Sequence, residues 1–241
     1  MLRVHDDLIA NPLFGRLAGH ETTAHALTFA FALLATHPEI QERIHQEARA
    51  VWPDLNDASW SASTLADYNA LEYTLAAFRE TLRLLPVVIR TGRIAIRDTL
   101  LPYEARNTST GEWEAQEVAV KKGVEAYINI FGLHMDPRSW GDDIEAFRPE
   151  RFIDRLNEGY EWPRDVWVPF ASGPHVCLGQ RFALVEGVCI LARLVRKYRI
   201  GPTPEVAQLS QAEQRKKLTA WTAGVTATPG RVDLVLEPRG N

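Results

Sequence analysis

A mainly α-helical fold with a small, scattered β component is what these 241 residues predict. Three observations carry that expectation. Long apolar-periodic stretches stand near both ends, the texture changes to strand-like runs after Pro86, and the tail after residue 198 returns to short strands. Residues 1–36 carry an apolar pattern with few breakers besides Asn11-Pro12 and Gly15, which predicts a helix. Pro12 removes one backbone donor and is expected to kink or end that helix. "THPE" then reads as a stop and a restart: Thr36 supplies a cap, Pro38 suits the first turn, and Glu39 suits the helix dipole. "PEIQERIHQEARAVW" predicts an amphipathic helix, "WPDLNDASWSASTLADY" a polar connector, and "NALEYTLAAFRETLRLL" one strong helix ended by Pro86.

Beyond Pro86, "VVIRTGRIAI" reads as strand, "EARNTSTGEWEAQ" as a polar turn, and "VAVKKGVEAYINIFGL" as two strands paired around Lys-Lys-Gly. Residues 134–176 are rich in turn signals: Asp-Pro, Arg-Pro, Trp-Pro, Val-Pro and Gly-Pro. "RFALVEGVCILARLVRKYRI" predicts a long apolar helix, and "GVTATPGRVDLVLEP" returns to strand. There is no internal repeat and no low-complexity segment.

Bulk chemistry narrows the function. Lys plus Arg is 27 against 31 for Asp plus Glu, a net charge of −4, which gives no electrostatic case for a nucleic-acid partner. The two cysteines, Cys177 and Cys189, do not make a disulfide scaffold, and nothing resembles a secretory signal. The longest apolar run, Leu27 to Ala35, is interrupted by Thr28 and is too short to span a membrane. The expectation is a soluble chain in a reducing compartment.

Four short stretches carry the chemistry. In "FASGPHVCLGQRF" Cys177 sits in a glycine-rich turn just before a helical pattern. A thiolate needs a metal, a helix N-terminus or donated N–H groups. Here Gly173 and Gly179 allow tight turns, a helix starting near Leu178 points its positive end at the sulfur, and His175 adds a donor. A structural zinc site lacks its other ligands. The stretch alone fits a buried free thiol or a single axial ligand to a cofactor that brings its own donors. Cys189, mid-helix among apolar neighbours, reads as core.

In "FRETLR", Glu80 and Arg83 stand at i, i+3 and can pair on one helix face. In "FRPERF", Arg151 lies among prolines and aromatics, which suggests a buried partner, and Glu80 is the obvious carboxylate. In "AGHETTAH", a helical plot gathers Asn11, Phe14, Gly15, Ala18, Thr22 and Phe29 on one side, with Gly19 at its edge. That small-residue face admits a flat ring or a closely packed helix, and adjacent Glu21 and Thr22 form a pair able to relay protons.

Together these stretches resemble the cytochrome P450 family of haem-thiolate monooxygenases, in the family's order and across nearly the whole chain. "FASGPHVCLG" is similar to its cysteine-ligand loop at every fixed position, "ETLR" to its Glu-x-x-Arg helix, "PERF" to the segment completing a Glu–Arg–Arg network, and "AGHETT" to its oxygen-activation segment. The resemblance implies the C-terminal part of that fold as a single domain over 1–241, with the family's N-terminal half absent. It implies haem b with Cys177 as axial ligand, Phe170 shielding the sulfur, and His175 and Arg93 reaching the propionates. Gly173, Gly179, Ala18 and Gly19 would complete the cradle. Glu21 and Thr22 would deliver protons during oxygen activation, and Glu80, Arg83 and Arg151 would lock the proximal side.

Substrate would meet Phe14 to Ala18, Val87 to Ile89 and Trp221 to Ala223. The implied partners are a reductase passing electrons from NADPH, dioxygen and a small hydrophobic substrate. The wording is closest to fungal microsomal members, which implies the cytoplasm or the cytosolic face of the endoplasmic reticulum, with no membrane anchor in this chain. The departures are the short length and "NPLFGR", where Pro12, Gly15 and Arg16 interrupt an apolar helix. Arg16 falls opposite the small-residue face, away from substrate. The competing reading is a non-catalytic remnant that binds haem weakly or not at all, or serves as an interaction module. Stoichiometric haem in the purified chain separates the two.

Overall fold

The computed structural model describes residues 4–54, 64–156 and 159–240, with the backbone alone for residues 4–17 and Arg155. The chain divides into two compact units, residues 90–130 and the remainder. The larger unit starts with α1 (Val4–Thr36), which runs unbroken through Pro12, so the proline does not end the helix as expected. A single missing donor is outweighed by the bonds on either side, because helix propagation is cooperative. The side chains of Phe14 and Arg16 lie outside the described residues.

Thr36 also departs from expectation. Its hydroxyl donates back to the carbonyls of Leu33 (3.0 Å) and Ala32 (3.4 Å), finishing α1 instead of capping α2 (Pro38–Val51). His37 holds the N-cap position, and Pro38 and Glu39 take their expected places in the first turn. Buried Ile40, Ile44 and Ala48 form the core stripe of α2 at a spacing of four.

Instead of one helix from Asn69 to Leu85 there are two, α3 (Leu65–Ala70) and α4 (Glu72–Leu84). Thr64 and Asp67 form a capping box that starts α3. Leu71 (φ −89°, ψ 49°) breaks the run, and the Glu47 carboxylate of α2 accepts the N–H groups of Tyr73 (2.6 Å) and Thr74 (2.8 Å). A carboxylate on the first free donors of α4 fixes where that helix begins.

The smaller unit is a pair of nested hairpins: β1 (Arg90–Ile94), β2 (Thr99–Arg106), β3 (Trp113–Val120) and β4 (Glu125–Asn129). The inner pair is β2–β3, closed by Asn107, whose Oδ1 accepts the N–H groups of Ser109 (2.9 Å) and Thr110 (3.2 Å). The turn at Lys121-Lys122-Gly123 forms, but the strands flanking it pair with different partners, β3 with β2 and β4 with β1. Asp98 holds the turn: its carboxylate takes the Lys121 ammonium (2.8 Å) and the Lys122 N–H (2.9 Å). Ala95 bonds Gly123 and Val124 (2.8 and 2.9 Å), handing the chain over to β1.

The chain rejoins the larger unit through α5 (Ile130–His134), where the second half of a strand was expected, then α6 (Pro137–Trp140) and a 3-10 turn at Pro149–Phe152. After further 3-10 turns at Asp154–Leu156 and Gly173–His175 comes α7 (Gln180–Lys197), whose Leu184, Val188, Leu191, Ala192 and Val195 are buried. Its core packs with α2 and α4 around Ile44, Phe78 and Val188. The tail holds β5 (Tyr198–Pro202), α8 (Gln211–Leu218), β6 (Trp221–Ala223), β7 (Ala227–Pro229) and β8 (Leu234–Pro238), paired β5–β8 and β6–β7.

Candidate functional site

Glu80 and Arg83 face one another on α4, one helical turn apart. Arg83 Nε donates to Glu80 Oε2 (2.6 Å) and Nη2 to Oε1 (2.8 Å), a bidentate pair. Arg151 Nε lies 3.4 Å from Glu80 Oε1, and all three side chains are fully buried. Burial pushes the Glu80 carboxyl up, and the guanidinium beside it opposes that shift. The remaining donors hold loops: Arg83 Nη1 binds the His134 carbonyl (2.9 Å) and Nη2 that of Ile144 (2.7 Å). Arg151 binds the carbonyls of Trp140 and Asp143 (2.6 Å each). The three charges together anchor residues 134–151 against α4.

That framework carries an aromatic wall, Trp140, Phe152, Trp162, Trp167 and Phe170, with ring centroids about 5 to 6 Å apart. The Trp167 indole N–H donates to the Arg79 carbonyl (3.2 Å), and the Val168 N–H donates to His134 Nε2 (3.0 Å). The chain then turns through two left-handed residues, Ala171 (φ 61°) and Gly173 (φ 75°). The Cys177 N–H closes the loop on the Phe170 carbonyl (2.9 Å).

α7 begins at Gln180 with Gly179 as N-cap, two residues later than Leu178. Of the two glycines expected to turn tightly, only Gly173 needs its conformational freedom. Gly179 has φ −87°, and a Cβ there would sit 3.9 Å from Cys177 Sγ, an ordinary contact. Gly179 therefore brings the start of the helix beside the sulfur without a backbone that only glycine adopts.

Cys177 is exposed, and so are His175, Val176, Leu178 (104%) and Phe182 (70%). An exposed thiol among exposed apolar side chains is the reverse of a buried structural cysteine. Cys189 is half-buried instead of a full core residue, and burial pushes its thiol up. On α1, the Thr22 hydroxyl donates to the Ala18 carbonyl (2.7 Å), Ala18 and Gly19 are exposed, and a Cβ on Gly19 would meet nothing. Glu21 accepts from the Thr226 hydroxyl (3.3 Å) and faces His25 Nε2 at 4.0 Å. Phe29, Pro86, Ile89, Phe131, Trp221 and Ala227 line a small apolar pocket, so two of the three expected substrate segments meet there. Arg93, on β1 in the smaller unit, is exposed and donates to Thr91 Oγ1 (3.1 Å) and the Gly92 carbonyl (2.9 Å).

Among the described residues no cluster of three His, Cys, Asp or Glu side chains could hold a metal ion. The donor set is a lone thiol, which fits an iron whose other ligands arrive with a flat, largely apolar macrocycle. The comparison with known families decides the matter: the cytochrome P450 model matches residues 6–223. This chain belongs to the cytochrome P450 family.

Relatives of this P450 chain include cytochrome P450 monooxygenase 124 of Postia placenta, 34% identical over 97% of the chain and 42% of that protein. Cytochrome P450 52A4 of Candida maltosa is 34% identical over 76% of the chain and 32% of its own length. Cytochrome P450 3A19 of Capra hircus aegagrus is 30% identical over 97% of the chain and 94% of that protein. The chain thus spans less than half the length of the two fungal relatives. Among the described residues no helix is long and apolar enough to cross a membrane.

Sequence reasoning missed His134, fully buried between the P450 Glu–Arg–Arg network and the cysteine loop. Its only signal is a histidine flanked by Leu133 and Met135 ahead of Asp-Pro. It missed Asp143 too, whose carboxylate pairs with Arg151.

Proposed function

We propose that this chain forms a haem-thiolate monooxygenase domain over residues 1–241, with Cys177 as the axial iron ligand. The observation that carries the reading is the exposed Cys177 thiol just before α7, on a loop closed by the Cys177 N–H on the Phe170 carbonyl and ringed by exposed apolar side chains. Haem b, when bound, supplies a redox iron at which dioxygen is activated for insertion of one oxygen atom into a small hydrophobic substrate.

The chain's own residues bind, orient and move protons. The N-terminus of eighteen-residue α7 favours a charged sulfur. Phe170 excludes water from its flank, and Gly173 shapes the loop while Gly179 starts the helix. His175 and Arg93 are donors suited to propionates, and Ala18 with Gly19 leaves α1 open to close approach of a flat ring. Thr22 holds its hydroxyl proton on the Ala18 carbonyl, and the neighbouring Glu21 carboxylate is open to solvent, an arrangement suited to proton delivery. Phe29, Ile89 and Trp221 supply an apolar surface against which an apolar substrate would lie. Electrons come from NADPH through a P450 reductase-type donor, and the site of action is the cytosolic face of the endoplasmic reticulum.

The ferrous–carbonyl spectrum of the haem-loaded chain tests this reading. A thiolate-type band is expected in the wild type and its loss in Cys177→Ala. A thiolate band that survives Cys177→Ala overturns the ligand assignment, and a purified chain without stoichiometric haem overturns the function.

A further inference from the structure

We infer that His134 is a positioning residue for the cysteine loop: by accepting the Val168 N–H at Nε2 it fixes the base of the turn that presents Phe170 and Cys177. Its functional consequence rests on the reading of Cys177 as ligand; the hold on Val168 stands on geometry alone.

A backbone N–H only donates, so the 3.0 Å contact makes Nε2 the lone-pair nitrogen and places the ring proton on Nδ1. Nδ1 is itself buried, with the Arg83 and Leu82 carbonyls of α4 near the ring, so the firm hydrogen bond of the imidazole is the one that Nε2 accepts. The imidazole is fully buried and meets the Trp140 ring edge to face at 6.4 Å, so it has little freedom to turn away. The backbone of the same residue is held from the other side, because Arg83 Nη1 donates to the His134 carbonyl. One residue therefore transmits the position of α4 to Val168.

Both backbone groups of Val168 are committed. Its N–H goes to His134, and its carbonyl accepts the Ala171 N–H (3.0 Å) across the turn. Ala171 is the one non-glycine residue with positive φ among the described residues, a conformation that persists only where its surroundings over-determine it. The His134 bond at one end of the turn and the Cys177 N–H on the Phe170 carbonyl at the other supply that constraint. Loss of the His134 acceptor leaves a half-buried N–H without its partner and frees the turn to reorient.

The test uses the full chain with two substitutions, His134→Leu, which removes the acceptor, and His134→Gln, whose side-chain oxygen replaces it. Amide hydrogen exchange over 168–177 is the first readout and needs no haem. The Leu variant is expected to exchange there about tenfold faster with protection of 188–195 unchanged, and the Gln variant to restore it. Unchanged exchange over 168–177 in the Leu variant, or equal loosening of 188–195, overturns the inference. In the haem-loaded chain, the Leu variant is expected to convert part of the ferrous–carbonyl band from the thiolate to the neutral-thiol form while Gln keeps the thiolate band. A loosened loop with an unchanged band overturns the link to Cys177. Absence of a thiolate band in the wild type overturns the proposed function instead, and the exchange result then decides the hold on Val168.

Discussion

Arg83 places five donors on groups that water does not reach, and its removal strands Glu80 beside Arg151 in a dry site. Removing one partner of a buried ion pair costs about 3–5 kcal/mol, and Arg151, 3.4 Å from Glu80, does not replace the bidentate bonds or the bonds to the His134 and Ile144 carbonyls. Arg83→Met is expected to destabilise the chain by that amount in denaturant titration, whereas neutralising the exposed Lys121–Asp98 pair is expected to leave the midpoint nearly unchanged. His134 adds a pH signature. Burial, with the Arg83 charge second, lowers its pKa from 6.5 to about 4, while the carbonyls of Arg83 and Leu82 oppose that shift weakly. The unfolded chain therefore binds a proton near pH 6.5 that the folded chain refuses until about pH 4. The contribution of His134 is complete above pH 6.5 and falls away as pH drops toward 4, by roughly 3 kcal/mol at most. Denaturation midpoints followed from pH 7 to 4 should fall more steeply in the wild type than in His134→Gln. The Glu80–Arg83 spacing and the need for a partner to Arg151 were legible in the sequence, since both follow from helix geometry and the cost of a buried charge. The His134 and Ile144 carbonyls and the Arg148 N–H that complete the network, and His134 itself, were not, because they come from residues 51 to 68 positions away.

At the level of elements, α4 and α7 meet at a glycine. A Cβ built on Gly187 would lie 2.4 Å from Phe78 Cε1 and 2.5 Å from Cζ, and Phe78 is itself buried at 1% exposure. Gly187→Ala gains up to about 1 kcal/mol of helix propensity and loses about 1–3 kcal/mol to overpacking. The net effect is a loss of stability in thermal unfolding, and the double variant Gly187→Ala with Phe78→Leu should recover part of it. Periodicity revealed α2 and α7 because their core stripes are regular. α8 escaped although Ser210 and Glu213 form a capping box, since its hydrophobic pattern is too polar to stand out. The nested hairpins escaped for another reason: a turn signal at Lys121-Lys122-Gly123 locates a reversal without saying which strands pair. The pairing of β3 with β2 and of β4 with β1 is made between strands, and Asp98, more than twenty residues before the turn, binds Lys121 and Lys122 within it.

Across the whole molecule, closure of the tail onto the first helices depends on one side chain no local pattern could reveal. Gln41 is 1% exposed, and its amide behaves as a surrogate peptide group. Its Oε1 accepts the Ile200 N–H (2.9 Å), and Nε2 donates to the Ile200 carbonyl (2.8 Å) and to that of Leu34 (3.1 Å). Ile200 sits mid-strand in β5, opposite Leu236 of β8, so Gln41 covers an edge that would otherwise present buried, unpaired backbone groups. Arg239 adds a bond to Gln41 Oε1 (3.3 Å) and pairs with Glu42 (2.7 Å), tying the end of β8 to the same turn of α2. Gln41→Met keeps the volume and removes every one of these partners, leaving the N–H and the carbonyl of Ile200 unsatisfied at about 1–3 kcal/mol each. Partial rescue by water and relaxation brings the expected loss to roughly 2–4 kcal/mol in chemical denaturation. Amide exchange should then rise selectively at 198–202 and 234–238, while the α4 network keeps its protection. Equal loosening of Glu80 and Arg83 would show that the tail and the P450 core unfold as one unit, and would refute a local role for Gln41 in closing the sheet edge.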